Sequence, residues 1–69
     1  MTKNEKRAKK AAKTIRSAYQ NHPARVVQED VTDVLADLRH LCTQRDWDFA
    51  DLDRTAYQHY IEELSEEER

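Results

Sequence analysis

The residue types best suited to metal binding in this chain are three histidines and a single cysteine: His22, His40, Cys42 and His59. Imidazole and thiolate groups are ligands that zinc prefers, and the side chains that hold one ion must converge on it. His40 and Cys42 are two residues apart, which in a helix places them on different faces. Cys42 also falls among apolar residues at helical spacing. We therefore predict no metal site, and we expect Cys42 to be a small buried hydrophobic residue.

A second group has side chains that could form an acid–base site: Asp37, Arg39, His40, Tyr57, His59 and Tyr60. Asp37 and His40 lie three residues apart on one helical face, so this pair could serve a reaction or simply bridge two helices. The chain has no glycine-rich phosphate loop and no nucleophile elbow. A helical domain of 69 residues also has little room for a substrate pocket of ~300 Å³ or more. The sequence therefore predicts a protein that is not an enzyme, with no catalytic residue and no cofactor.

Charge is divided between the two parts of the chain. Residues 1–25 carry eight Lys/Arg and one acid, a net charge of +7, whereas residues 26–69 carry four Lys/Arg and thirteen Asp/Glu, a net charge of −9. The total of −2 therefore conceals two oppositely charged surfaces. Each surface could attract a partner of opposite charge, or the other half of the same chain.

The composition favours one small helical domain. Glycine is absent and proline occurs once, whereas all-β folds need turns of such residues at short intervals. A single cysteine excludes a disulfide within the chain and is typical of a reducing compartment, so we expect a cytoplasmic protein. No apolar run resembles a signal peptide or reaches the ~20 residues of a membrane span. A chain this short buries a small core, so a partner such as a second copy would add stability.

Apolar residues spaced three and four apart predict three helices, over residues 3–21, 29–45 and 49–66. The first should begin with a capping box formed by Thr2 and Glu5, and it should end at His22-Pro23. Its apolar stripe is mostly alanine, and its opposite face is mostly lysine and arginine. The other two helices carry larger apolar residues and should form an antiparallel hairpin. We predict an all-α fold, a compact three-helix bundle with residues 1–69 in a single domain.

Two aspartates should shape the turn of the hairpin. Asp tolerates the left-handed backbone conformation that usually falls to glycine, so Asp46 is suited to end the second helix. Asp48 is placed to cap the third helix, with Asp51 at the third helical position. The closing residues, Ser65 to Arg69, should fray, because acids at a helix C-terminus oppose the helix dipole.

The stretch from Val34 to Cys42, VLADLRHLC, is followed by Asp48-Phe49-Ala50 and then by Ala56-Tyr57. This pattern resembles a group of small uncharacterised bacterial proteins of plasmids, phages and integrative elements. They share a pattern close to L-L-x-D-L-x-H-x-C, a short turn, then D-F and a second helix with an aromatic residue near its end. The resemblance covers roughly residues 31–60. It implies a helical hairpin and a setting on a mobile genetic element, where inhibitors of host defence and regulators are common small products.

Seven acidic residues are predicted to form an anionic, protein-binding patch on the hairpin: Glu29, Asp30, Asp33, Asp37, Asp48, Asp51 and Asp53. Such a patch can serve solubility alone. It can also mimic nucleic-acid phosphates and occupy a basic groove on a partner, with electrostatic steering speeding association. The first functional hypothesis is therefore a protein-binding module that inhibits a host defence or nucleic-acid-handling complex.

Seven cations lie on the first predicted helix: Lys3, Lys6, Arg7, Lys9, Lys10, Lys13 and Arg16. A basic helix of this kind suits phosphates, and mostly lysine favours salt-sensitive contact without base recognition. The alternative hypothesis is therefore a nucleic-acid-binding accessory or regulatory protein. The same face could instead fold back on the acidic hairpin, and the sequence leaves this choice open.

Overall fold

The structure, a computed structural model, describes residues 1–19 and 25–67. It consists of three helices, α1 (Lys3–Ala18), α2 (Gln28–Arg45) and α3 (Phe49–Glu67). All three pairs of helices are in contact, and no residue in the described ranges lies in a strand. The predicted fold class, an all-α three-helix bundle, is confirmed.

α1 begins at Lys3, as predicted, with the Thr2 half of the expected capping box, but it ends earlier. The Thr2 side chain accepts a hydrogen bond from the Glu5 backbone N–H at 3.0 Å, which satisfies one of the free donors of the first turn. The helix stops at Ala18 rather than at residue 21, and Tyr19 leaves helical geometry at φ −123° and ψ 69°. The Tyr19 hydroxyl then donates to the Asp37 carboxylate of α2 at 2.6 Å, so a contact between helices accompanies this early end. The predicted stop at His22-Pro23 lies outside the described residues.

The turn between α2 and α3 is built by the two aspartates that the sequence indicated. Asp46 adopts the left-handed conformation, with φ 58° and ψ 39°. The Trp47 backbone N–H donates to the Cys42 carbonyl at 2.8 Å, which satisfies an acceptor of the last turn of α2. Asp48 caps α3 by accepting from the Asp51 backbone N–H at 3.3 Å. The three residues between the helices therefore reverse the chain without a glycine, and α2 and α3 form the predicted antiparallel hairpin.

The start of α2 includes a buried carboxylate. Asp30 is 2% exposed, and its side chain accepts a hydrogen bond from the Val27 backbone N–H at 3.0 Å. The Asp30 backbone N–H donates in return to the Val27 carbonyl at 3.0 Å. The prediction that Asp30 belongs to an exposed anionic patch is therefore wrong, because the side chain caps its own helix.

The three pairs of helices meet at different places in the molecule. The first turn of α1 contacts the last turns of α3 through Asn4 and Glu67, and the end of α1 contacts α2 through Tyr19 and Asp37. The third meeting point is the hairpin turn. The Cα atoms extend over 39 × 33 × 15 Å, so the molecule is a flat triangle of helices.

This triangle encloses few side chains. Cys42 is 6% exposed and forms the buried apolar core of the described residues, which confirms its expected role. Most of the larger residues of the two apolar stripes, which were predicted to line a core, remain between 37% and 62% exposed: Val31, Leu35, Leu38, Leu41, Leu52, Tyr57, Tyr60, Ile61 and Leu64. The apolar stripes therefore lie largely at the surface.

Candidate protein-binding surface

An apolar groove runs between α2 and α3. It has a volume of about 310 Å³. Its lining includes Leu35, Leu38, Leu41, Cys42, Trp47, Phe49, Leu52 and Ala56. We call these eight residues the apolar groove. Cys42 is buried and Phe49 half-buried, whereas the leucines along the sides are 41–50% exposed. A depression bordered by exposed leucines suits another apolar surface better than it suits water.

Four carboxylates surround the turn end of this groove. Asp46, Asp48 and Asp51 line an adjoining cleft of about 440 Å³ together with Trp47 and Leu52. The fourth, Asp53, lines the groove itself. We call the four aspartates the anionic rim. Trp47 is 52% exposed and Leu52 is 50% exposed, so the rim encloses two large apolar side chains that are open to solvent.

Local hydrogen bonds hold part of the rim in place. The Asp48 carboxylate is engaged by the Asp51 backbone N–H, and the Asp51 carboxylate accepts from the Arg54 guanidinium at 2.7 Å. This ion pair is well exposed on both sides, so its stabilising effect is small. The Arg45 guanidinium lies 5.7 Å from the centre of the Trp47 ring, a distance suited to a cation–π contact that orients the indole.

The structure divides the predicted anionic patch into two groups. Asp48, Asp51 and Asp53 belong to the rim. Glu29, Asp33 and Asp37 are exposed and recur every four residues along α2, which places them on the side of that helix away from Leu38. Asp37 accepts the Tyr19 hydroxyl, and this hydrogen bond, together with partial burial and the charges of Asp37 and Asp33, raises the pKa of Tyr19.

Sequence reasoning missed Trp47 and Leu52 as surface residues. Leu52 was assigned to the core because its spacing fits the apolar stripe of α3, and spacing alone does not say whether a stripe is covered. Trp47 offered a clearer signal. A tryptophan between Asp46 and Asp48 has no room to turn inward within so short a connection, and the rim residue Asp46 was considered only for its backbone.

The basic helix is tied to α3 at one end. The Arg7 guanidinium lies 3.0 Å from the Glu63 carboxylate, and the Asn4 side chain donates to the Glu63 carbonyl at 3.0 Å. The Asn4 backbone N–H donates to the Glu67 carboxylate at 2.8 Å, and this hydrogen bond is the main reason why the pKa of Glu67 is lowered. The predicted fraying from Ser65 onward is wrong as far as Glu67, because this carboxylate caps the positive end of α1.

The lysines of α1 remain outside these contacts. The side of α1 that faces its neighbours carries Asn4, Arg7 and Ala8 against α3 and Ile15 near Val34 of α2. Six cations of α1 are exposed and make no ion pair within residues 1–19 and 25–67: Lys3, Lys6, Lys9, Lys10, Lys13 and Arg16. The basic helix therefore packs on the acidic end of α3 through Arg7, while its lysine face stays open.

The side chains that were considered for acid–base catalysis or metal binding are not brought together into one site. The Asp37 carboxylate accepts its hydrogen bond from Tyr19 and not from His40. The rings of Tyr57 and Tyr60 lie 6.2 Å apart at an angle of 41°. Across the described ranges, no three His, Cys, Asp or Glu residues are arranged to hold a metal ion. His22 lies outside those ranges.

No protein-family model, no curated protein and no solved structure matches this chain. Within residues 1–19 and 25–67, none of the helices combines the length and the apolar character needed to cross a bilayer.

Proposed function

We propose that this chain is a non-enzymatic, protein-binding module that engages its partner through the turn end of the apolar groove and the anionic rim. The observation that carries the proposal is the pair Trp47 and Leu52, each about half exposed and bordered by the four aspartates of the anionic rim. Tryptophan and leucine at the centre of a charged rim provide the apolar anchor and polar border that protein interfaces use.

The charge of the rim defines the partner. Carboxylates repel nucleic-acid phosphates and attract lysine and arginine, so the complementary surface is a basic segment of a protein with an apolar residue that contacts Trp47. Proteins that handle nucleic acids carry such basic grooves. Together with the resemblance to proteins of mobile genetic elements, this supports a cytoplasmic inhibitor of a host defence or nucleic-acid-handling complex.

Affinity capture with matched variants tests the proposal. The full chain is immobilised and exposed to bacterial lysate at low salt, beside Trp47→Ala and a control, Tyr57→Ala. Tyr57 is an exposed aromatic residue of α3 that does not line the groove. We expect proteins held by the wild type to be retained by Tyr57→Ala, lost by Trp47→Ala and weakened by added salt. Equal capture by the two variants, or none above background, contradicts the proposal.

A second candidate function is supported by the open lysine face of α1. Its six exposed cations other than Arg7 make no ion pair within the described ranges, so a nucleic-acid backbone could reach them. Gel-shift titration at rising salt tests this candidate, because phosphate binding weakens steeply with salt. Changing Lys6, Lys9, Lys10 and Lys13 to Glu should abolish such binding and leave the capture of a protein at the rim intact. Unaltered mobility at low salt removes this candidate.

A further inference from the structure

We propose that a second copy of this chain covers the helical part of the apolar groove, which makes the protein an antiparallel homodimer with one anionic rim at each end. This inference goes beyond the proposed function, since it assigns the helical part of the groove (Leu35, Leu38, Leu41 and Ala56) to self-association, together with exposed apolar residues elsewhere on α2 and α3. Trp47, Leu52 and the rim remain available to another protein.

The surface area of the chain supports a second copy. A folded monomer of 8.2 kDa is expected to expose about 4,500 Å², whereas this chain exposes 6176 Å². The excess is about 1,600 Å² per chain. Homodimers whose subunits fold together bury roughly 1,000–2,500 Å² per chain. The excess therefore has the size of the surface that such a dimer removes from water.

The character of the surface points the same way. Leu35, Leu38 and Leu41 are each more than 40% exposed, and they line one continuous groove rather than being scattered. Interfaces between identical subunits are more apolar than interfaces that form transiently, and they resemble a domain core divided in two. The buried core of this chain within the described residues is confined to Cys42, so a second copy would supply the missing half of a core.

Charge selects the orientation of the two copies. In a twofold contact the same patch meets itself, so the two helical grooves can face each other with parallel or antiparallel α2 helices. The parallel arrangement brings the two anionic rims together, and their like charges oppose it. The antiparallel arrangement separates the rims to opposite ends of the dimer. Two rims on one particle would also strengthen attachment to a repetitive partner by avidity.

Sedimentation equilibrium of the full chain tests the inference, with Leu38→Asp beside the control His40→Asp. Both variants add one negative charge to α2, but His40 lies outside the groove. We expect the wild type and His40→Asp to be dimers at micromolar concentration. In Leu38→Asp, a charge without a partner at the interface should raise the dissociation constant at least ~100-fold. A wild-type monomer at millimolar concentration, or equal dissociation constants for the two variants, overturns the proposal.

Two further measurements keep the test independent of the folding of Leu38→Asp. The melting temperature of the wild type should rise with protein concentration, as it does when folding and association are coupled, and a constant value contradicts the dimer. Quenching of Trp47 by acrylamide should be equal above and below the dissociation constant, and protection on association overturns the antiparallel arrangement. The dimer and the proposed function can fail independently. A monomer that still captures a protein through Trp47 refutes only the dimer, and a dimer that captures no protein refutes only the proposed function.

Discussion

Replacing Asp30 with alanine should destabilise the protein far more than the same change at a neighbouring aspartate. The Asp30 carboxylate, 2% exposed, accepts the Val27 N–H at the start of α2. Its removal leaves this partly buried donor without its acceptor, at a cost of about 2 kcal/mol. In a domain of this size 1 kcal/mol corresponds to roughly 4–8 °C, so we expect the melting temperature to fall by about 8–16 °C.

Asp33→Ala is the matched control for this experiment. Asp33 is exposed on the same helix and stands in a row of like charges with Glu29 and Asp37, so its removal should change stability by no more than a few tenths of a kcal/mol. Asp30→Asn keeps an oxygen that can accept the Val27 hydrogen bond, so its stability should lie between those of Asp30→Ala and Asp33→Ala. Urea unfolding followed by far-UV circular dichroism, at one fixed protein concentration, measures all three variants. Equal midpoints for Asp30→Ala and Asp33→Ala would refute the assignment of Asp30 as a buried cap.

Three further outcomes are expected. Asp46→Gly should stabilise the protein by about 0.5 kcal/mol, because glycine adopts the left-handed conformation without strain; a lower urea midpoint than wild type would show that the aspartate is the better residue there. The pKa of Glu67 is lowered by the Asn4 N–H, so its contribution is present above the pKa of the unfolded chain and is lost as pH falls through the folded value; an NMR titration in which Glu67 shows an ordinary glutamate pKa contradicts this contact. The pKa of Tyr19 is raised by its hydrogen bond to Asp37, so its contribution is complete below the unfolded pKa and is lost as pH rises through the folded value. Tyr19→Phe should remove this dependence of stability on alkaline pH. If the melting temperature of Tyr19→Phe falls between two alkaline pH values as steeply as that of the wild type, this contribution is refuted.

The features that the sequence predicted are those determined by neighbouring residues. The position of the hairpin turn follows from Asp46 and Asp48, because a left-handed residue and an N-cap act within one helical turn of themselves. The number of helices and the bounds of α2 follow from apolar spacing to within one residue, whereas the end of α1 at Ala18 does not. The burial of Cys42 was also predicted from its position in the apolar stripe of α2, although the leucines of the same stripe are exposed.

The features that the sequence did not predict depend on residues far apart in the chain. Glu67 extends α3 because the first turn of α1 offers it a free N–H, and no local pattern near residue 67 contains that information. Likewise, apolar periodicity predicted which face of α2 carries Leu38, but the exposure of that face follows from the angles at which the helices meet.

The contact between Asn4 and Glu67 has a practical consequence for attaching probes. It brings the first turn of α1 and the last turn of α3 to one corner of the triangle, and the 19 residues of α3 separate that corner from the Trp47 turn by roughly 28 Å. A dye, a surface linker or a fused domain at either of these helix ends would therefore stand clear of the four aspartates. Attachment near Asp46, by contrast, would block the anionic rim and Trp47.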